Sequence, residues 1–398
     1  IEKGRNAIEV KRGIDMAVKK VVEHLTKMAK PIENNEEIKQ VALVSANGDE
    51  EVANTVLQAI ETVGRDGVIT VEESKTSETY LEHIDGMELD KGYKSSYFIT
   101  NAGSQTFEAE QCRILATQDM IRSMQQILPI LEQCSRDGRG LLIIGKVEQS
   151  VLDTLILNKL QGSVKVCVID APSYGEKQVK FMNDAAIMTG ATLIAIDQGK
   201  SSDSITIDDC GFAGKVTVGF NNTIIMKGAG DKAKIEERVK EIQLEIENDS
   251  SAYDKEKDKA RLANLTTGIA VIKVGAPSET EAKEIKDRYD DAIGATKAAI
   301  EEGILPGGGV AYIRAKAVLD KIIETSDFSA DAKAGMKIVS DALTTPLRTL
   351  VDNAGKPADV VIDKVSTNNL ANFGYDIRKD EYYYDMVEKG IIDPLKVT

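Results

Sequence analysis

The stretch EEGILPGGGVAYIRA, residues 301 to 315, holds three consecutive glycines, Gly307, Gly308 and Gly309. Glycine tolerates left-handed backbone and lets a ligand approach bare peptide. Val310-Ala311-Tyr312-Ile313 follow in a helical pattern, so amide N–H groups there can point at an anion. A tight turn has the same signature, and no spacing rule for a phosphate loop is met. Just upstream, in DRYDDAIGATKAAIEEG, Asp290 and Asp291 lie on a predicted helix. An acidic pair on a helix is ordinarily a solvated face, yet a carboxylate that orients water is what a phosphoryl hydrolase without histidine requires. Asp393, before Pro394 in GIIDP, either terminates a turn or accepts hydrogen bonds from a sugar.

Other chemistries lose support. The two histidines, His24 and His83, stand on patterned segments with no Cys or Ser motif beside them, which reads as surface or packing histidine rather than triad or metalloprotease chemistry. GKSS at 199 to 202 resembles the end of a phosphate-binding loop, but the glycine that motif needs upstream falls on Ile194. Asp170 follows a predicted strand without a G-x-G-x-x-G turn before it, so dinucleotide binding is not indicated. Cys112, Cys134, Cys167 and Cys210 lie far apart with no C-x-x-C pair, which suggests neither a metal site nor a disulfide framework and fits a reducing compartment.

The elements that must position these residues follow from periodicity. Residues 7 to 29 read as a helix with Ile14, Val18, Val21, Leu25 and Met28 on one stripe, already under way close to Ile1, which suggests a chain cut from something longer. Residues 35 to 63 are helical apart from SANGDEE, and DGVITVEES (66 to 74) alternates like a strand. LLIIG (141 to 145), VKVCVID (164 to 170) and TLIAID (192 to 197) are short apolar runs between helical stretches, a rhythm that predicts a parallel sheet flanked by helices. Residues 231 to 263 form two predicted helices broken at Asn248 to Ser251, with their charges on solvated faces. GIAVIKVG (268 to 275) is a predicted strand, 278 to 302 a long helix ending at Gly303, and the last hundred residues are mostly helical.

With 65 acidic against 50 basic side chains, the net charge of −15 argues against a nucleic-acid partner. No apolar run approaches the ~20 residues of a membrane helix. Two helices carry more apolar residues than one buried stripe needs: VLDTLILNKL (151 to 160) at Leu152, Ile156 and Leu157, and IRSMQQILPILEQC (121 to 134) at Leu128 and Leu131, with Pro129 inside the pattern. Dense core packing is one explanation and an exposed apolar binding groove the other.

Taken together, VKRGIDMAV, VALVSANGDEEV, GRDGVITVEE, GMELDKGYKSSYF, GIAVIKVGAPSE, DDAIGATKAAIEEGILPGGGVA and MVEKGIIDPLKV stand in the order and approximate spacing of the group I chaperonins, the 60-kilodalton chaperonin family, which the whole chain resembles. The resemblance implies an α/β and α multi-domain fold. Residues 1 to 28 and 303 to 398 would form part of a mostly helical equatorial domain, and 29 to 84 with 269 to 302 a small intermediate domain. Residues 85 to 268 would form an apical client-binding domain with a parallel sheet and flanking helices.

It further implies an ATP-driven folding chaperone working with magnesium, as a homo-oligomeric ring of seven closed by a small co-chaperonin lid, on unfolded protein clients. Asp291 then matches the water-activating aspartate, Gly307 to Gly309 the nucleotide-contacting glycines, Asp393 the carboxylate near the sugar, and Asp376 in GYDIRKDEY a further nucleotide contact. Tyr93, Tyr97, Phe98, Leu128, Leu131, Leu152, Ile156 and Leu157 match client-binding positions, and Gly86 and Gly268 match hinges. SANGDEE, LILNKL and MVEKGIIDP are nearer the mitochondrial members, which implies the mitochondrial matrix or a mitochondrion-derived organelle, with the bacterial cytoplasm as the alternative.

Two departures qualify this. The family's APGFGD is replaced by Ala171-Pro172-Ser173-Tyr174-Gly175-Glu176, and no Gly-Asp-Gly-Thr-Thr type segment, which holds phosphate and magnesium in the family, occurs in the 398 residues. The 398 residues alone are therefore expected to lack ATPase activity and a stable ring, while still acting as a non-catalytic module that binds apolar peptides.

Overall fold

The computed structural model describes residues 4–74, 76–196, 199–248 and 251–398. The chain begins with α1 (Ala7–Met28), α2 (Asn35–Ser45) and α3 (Glu50–Val63), then β1 (Val68–Glu73), β2 (Tyr80–Ile84), β3 (Gly86–Leu89) and β4 (Phe107–Ile121). There follow α4 (Leu128–Asp137), β5 (Gly140–Val147), α5 (Gln149–Leu160), β6 (Lys165–Ile169), α6 (Glu176–Thr189), β7 (Gly211–Val218) and β8 (Thr223–Gly228). Next are α7 (Lys232–Asn248), α8 (Ala252–Thr266), β9 (Ile269–Val274), α9 (Glu279–Glu302), β10 (Ile304–Pro306) and α10 (Val310–Thr325). The chain closes with α11 (Ala330–Ala342), α12 (Thr345–Asn353), α13 (Ala358–Thr367), β11 (Gly374–Asp376), β12 (Glu381–Tyr383) and β13 (Ile392–Pro394). Two compact units divide it: one takes the described residues up to Glu61, Val71–Tyr80 and Lys273–Thr398, the other Thr62–Thr70 and Leu81–Ile272.

In the first unit α1 packs on α10 and α11. Its buried stripe is Gly13, Ala17, Val21 and Leu25: Val21 and Leu25 are buried as the periodicity predicts, Ile14 and Met28 are only partly buried, Val18 is exposed, and Gly13 and Ala17 complete the face. The reason is backbone contact: a Cβ on Gly13 would stand 2.0 Å from the Ala332 carbonyl oxygen, and one on Gly335 2.1 Å from that of Val10. Hydrophobicity alone cannot find an interface built on missing side chains.

The second unit is built on a six-stranded sheet ordered β3-β8-β7-β4-β5-β6. β4, β5 and β6 run parallel, and the sheet continues antiparallel through β7, β8 and β3. Its central strand β4 carries Glu108, Glu110 and Gln111 and so does not stand out as an apolar run. TLIAID, expected as a strand, contributes a single bridge between Thr117 and Ile194, and its last residue, Asp197, lies outside the described residues. Pro129 starts α4 instead of interrupting a longer helix, since a first-turn residue needs no N–H donor. Burial holds the thiols of Cys134 and Cys210 at about 11 and about 12, so they stay protonated within the core.

Helices α7 and α8 are present as expected, although residues 249 and 250 of the predicted break lie outside the described residues. Their charges are not all solvated. Arg261 is 2% exposed and donates to Asp184 on α6, to Glu245 on α7 and to Asp258, while Arg238 also donates to Asp184. Burial alone would favour a neutral Arg261, but Asp184, Asp258 and Glu245 outweigh it and hold the guanidinium above its ordinary range.

Candidate functional site

In the first unit β10 pairs antiparallel with β13, setting Leu305 opposite Asp393 and leading straight into the glycine triplet. Each glycine answers a different demand. Gly307 donates to the Ile391 carbonyl at 2.9 Å. Gly308 is left-handed (φ +66°), and a Cβ there would meet nothing closer than 3.5 Å. Gly309, also left-handed (φ +80°), caps α10 and lies so close to α12 that a Cβ would stand 2.8 Å from the Leu347 amide nitrogen. Gly309→Ala is therefore expected to lower stability by about 2 kcal/mol or more, combining backbone strain with overpacking, and to exceed Gly308→Ala, which adds strain alone. Urea denaturation of the two variants side by side measures the difference; equal costs would show that α12 yields freely.

Burial raises the Asp393 carboxyl above the ordinary carboxylate range, and the Gly308 N–H donating to it works the other way. The second wall is the β11–β12 hairpin. Asp376 is almost buried, and one of its carboxylate oxygens accepts from the backbone N–H groups of Arg378 (2.9 Å) and Lys379 (3.3 Å), which closes the turn. Asp380 pins the same hairpin through Tyr375 and Lys356. Arg314 on α10 donates to the carbonyls of Val365, Asn368, Ala371 and Phe373, tying down the segment that enters β11.

Gly308, Tyr375, Asp376 and Ile391 line one cleft of about 590 Å³ together with Leu43 and Gly48, where α2 turns into α3. Its walls are largely apolar with a few convergent polar groups, the usual make-up of a small-ligand site. Asp393 stands directly behind Gly308. Asp291 does not line the cleft; it is exposed on α9, one turn beyond Arg288, whose guanidinium bonds Asp49 at 2.8 Å. The wall from α2, Arg378 and the Arg314 clamp were all missed by motif reading. Only Asn47-Gly48, a pair suited to a left-handed turn and found at φ +58° and +88°, was visible beforehand.

In the second unit a groove of about 470 Å³ runs beside α4, lined by Met124, Leu128, Leu131, Asn158, Ser163 and Val164, with Glu132 and Arg136 among its charged members. Leu128 is exposed, as are Tyr97 and Leu157. Leu131 and Leu152 are mostly buried, and Ile156 packs partly against the core. Tyr93 is half-buried with its ring edge-on to Phe220 at 6.2 Å. Phe98 is fully buried and offers no surface, which removes it from the expected client-binding set: it is part of the core under the sheet. The apolar surplus therefore divides between both explanations, core packing for some residues and exposed surface for others.

Of the two expected hinge glycines, Gly86 opens β3, where a Cβ would stand 2.5 Å from the Ile225 carbonyl oxygen. Gly268 is left-handed (φ +64°) and crowded by His83, whose Nε2 lies 2.7 Å from the Thr267 carbonyl oxygen. Both positions need glycine for close packing.

The structure thus combines a multi-domain α/β fold with a small-ligand cleft in one unit and an apolar groove in the other. The chain matches the TCP-1/cpn60 chaperonin family over residues 1–398 and belongs to it. It is thus a protein-folding chaperone of a family whose members generally form oligomeric rings, depend on nucleotide and bind unfolded clients.

Proposed function

We propose that this protein captures unfolded polypeptides on the exposed apolar side chains of α4 and α5 and drives their folding by ATP hydrolysis, as a group I chaperonin of mitochondrial type. In this reading the cleft at Gly308 holds ATP, with Asp376 and Asp393 as nucleotide contacts and Asp291 as the water-orienting carboxylate on α9. Magnesium neutralises phosphate charge when bound. Residues 1–28 and 303–398 serve as equatorial segments, 29–84 and 269–302 as intermediate and 85–268 as apical, with Gly86 and Gly268 at the joints. The working assembly is a seven-membered ring with a co-chaperonin lid, in the mitochondrial matrix or a derived organelle.

The observation that carries this reading is the cleft itself: a left-handed glycine open to it, an N–H of that glycine bonded to Asp393, and Asp376 on the facing hairpin. Asp376 can accept from sugar hydroxyls, and Arg378, Lys379 and Lys389 in the same lining supply positive charge for phosphates. Client capture rests on Leu128 and Leu157, which are 44% and 58% exposed and gain nothing for the fold by being apolar. In the full-length protein, Leu128→Ser with Leu157→Ser is expected to weaken capture of a chemically unfolded client about tenfold, with unchanged circular dichroism and ATP turnover, from the loss of two apolar anchors. Undiminished capture would overturn the proposed client surface. Release of the client on adding ATP tests the coupling, and retention regardless of ATP would favour a non-catalytic binding module.

A further inference from the structure

We propose that Arg378 is a ligand-contacting residue of this cleft, an exposed guanidinium strap that reaches from the β11–β12 turn toward the α2–α3 turn and sets how long a nucleotide stays bound. The inference rests on the nucleotide reading of the cleft and adds to it a residue that no motif marks.

Three observations meet at Arg378. Its root is fixed, because its own N–H and that of Lys379 donate to the nearly buried Asp376 carboxylate, and the rest of the hairpin is held by Asp380. Its tip lies across the cleft beside Gly48: a Cβ built on that glycine would stand 3.6 Å from Nη1, so both walls of the cleft meet at this side chain. And its donors are unspent. Among the described residues no acid forms an ion pair with Arg378, whereas Arg288, which also reaches the α2–α3 turn, is committed to Asp49 and Glu284. A guanidinium offers five donors in a plane and a flat face for an aromatic ring, and here it is held over a cleft large enough for a nucleotide.

The partner chemistry is a planar, acceptor-rich ligand, and a nucleotide supplies it from two sources, the base with its sugar or the phosphates. With Arg378 placed over the mouth, its loss speeds departure more than it slows entry.

The test compares wild type, Arg378→Ala and Arg378→Lys in the full-length protein, titrated with adenosine, ADP and ATP, with dissociation followed by stopped flow using a fluorescent ADP derivative. Arg378→Ala is expected to weaken binding about fivefold, mainly through faster dissociation, the size of one charge-assisted hydrogen bond near a surface. Arg378→Lys recovers part of that loss for a phosphate contact, and little of it where the planar fork or stacking on the base is what matters. An equal effect on adenosine and ADP places the contact on the base or sugar; an effect confined to ADP and ATP places it on phosphate. Unchanged affinity and dissociation for all three ligands, with wild type binding them, would overturn the strap while leaving the nucleotide site standing. Failure of wild type to bind any of them, or binding unaffected by Gly308→Val, would overturn the nucleotide reading and the strap with it.

Discussion

Asp291→Ala in the full-length protein is expected to lower the ATP turnover number by about 100-fold or more while leaving the dissociation constant for ATP within about twofold, the pattern of a lost general base or water-orienting group. The separation follows from position. Asp291 is exposed on α9, its side chain makes no hydrogen bond or ion pair among the described residues, and it does not line the cleft, so its removal takes away no wall contact. The opposite face of α9 is buried through Tyr289, Ala292, Ile293 and Thr296, and Arg288 anchors the helix to Asp49 beside the cleft residue Gly48. Residues three apart on a helix share a face, so Asp291 is presented one turn beyond that anchor. Asp291→Asn, of nearly the same shape, separates charge from bulk: it should be as slow as alanine. Single-turnover hydrolysis and equilibrium ATP binding decide the matter, and unchanged turnover in both variants would remove Asp291 from the proposed chemistry.

Arg261→Ala is expected to destabilise the second unit by about 3–5 kcal/mol, because it strands buried carboxylates rather than merely deleting an ion pair. Asp258 loses the only cation bonded to it among the described residues, while Asp184 keeps Arg238. The side chains of Arg261 and Asp184 are 1% and 2% exposed, so water cannot replace the lost donor. Adding Asp258→Leu to Arg261→Met removes charges on both sides and should return much of the loss. Hydrogen exchange across α6, α7 and α8, together with urea denaturation, reads the effect. A cost below about 1 kcal/mol for the alanine variant would mean that the network is solvated in practice.

Much of the local structure was legible because it depends on neighbours in the chain. The bounds of α2, α3, α9 and β9 follow from apolar periodicity and from caps such as Asn34 and Ser278, whose side chains accept from Glu37 and Glu281. What failed did so where distant segments meet. The buried face of α1 differs in part from its apolar stripe because contact with Ala332 selects Gly13, and Phe98, placed among client-binding positions by resemblance alone, is buried by what packs over it. The β4 strand was missed because charged residues alternate into its exposed half.

By itself the sequence determined the family pattern, the helical and strand content, and which glycines and aspartates could serve a ligand, since those depend on residue type and short-range spacing. Tertiary structure decided which of them meet. The pairing of Leu305 with Asp393 brings segments nearly ninety residues apart in the chain onto Gly308, and the hairpin held by Asp376 and Arg314 supplies the opposite wall. It also decided which apolar residues face water, separating Leu128 and Leu157 from Phe98. Periodicity reports how a residue faces along its own element, whereas burial and convergence depend on what packs against that element, and only the folded chain specifies that.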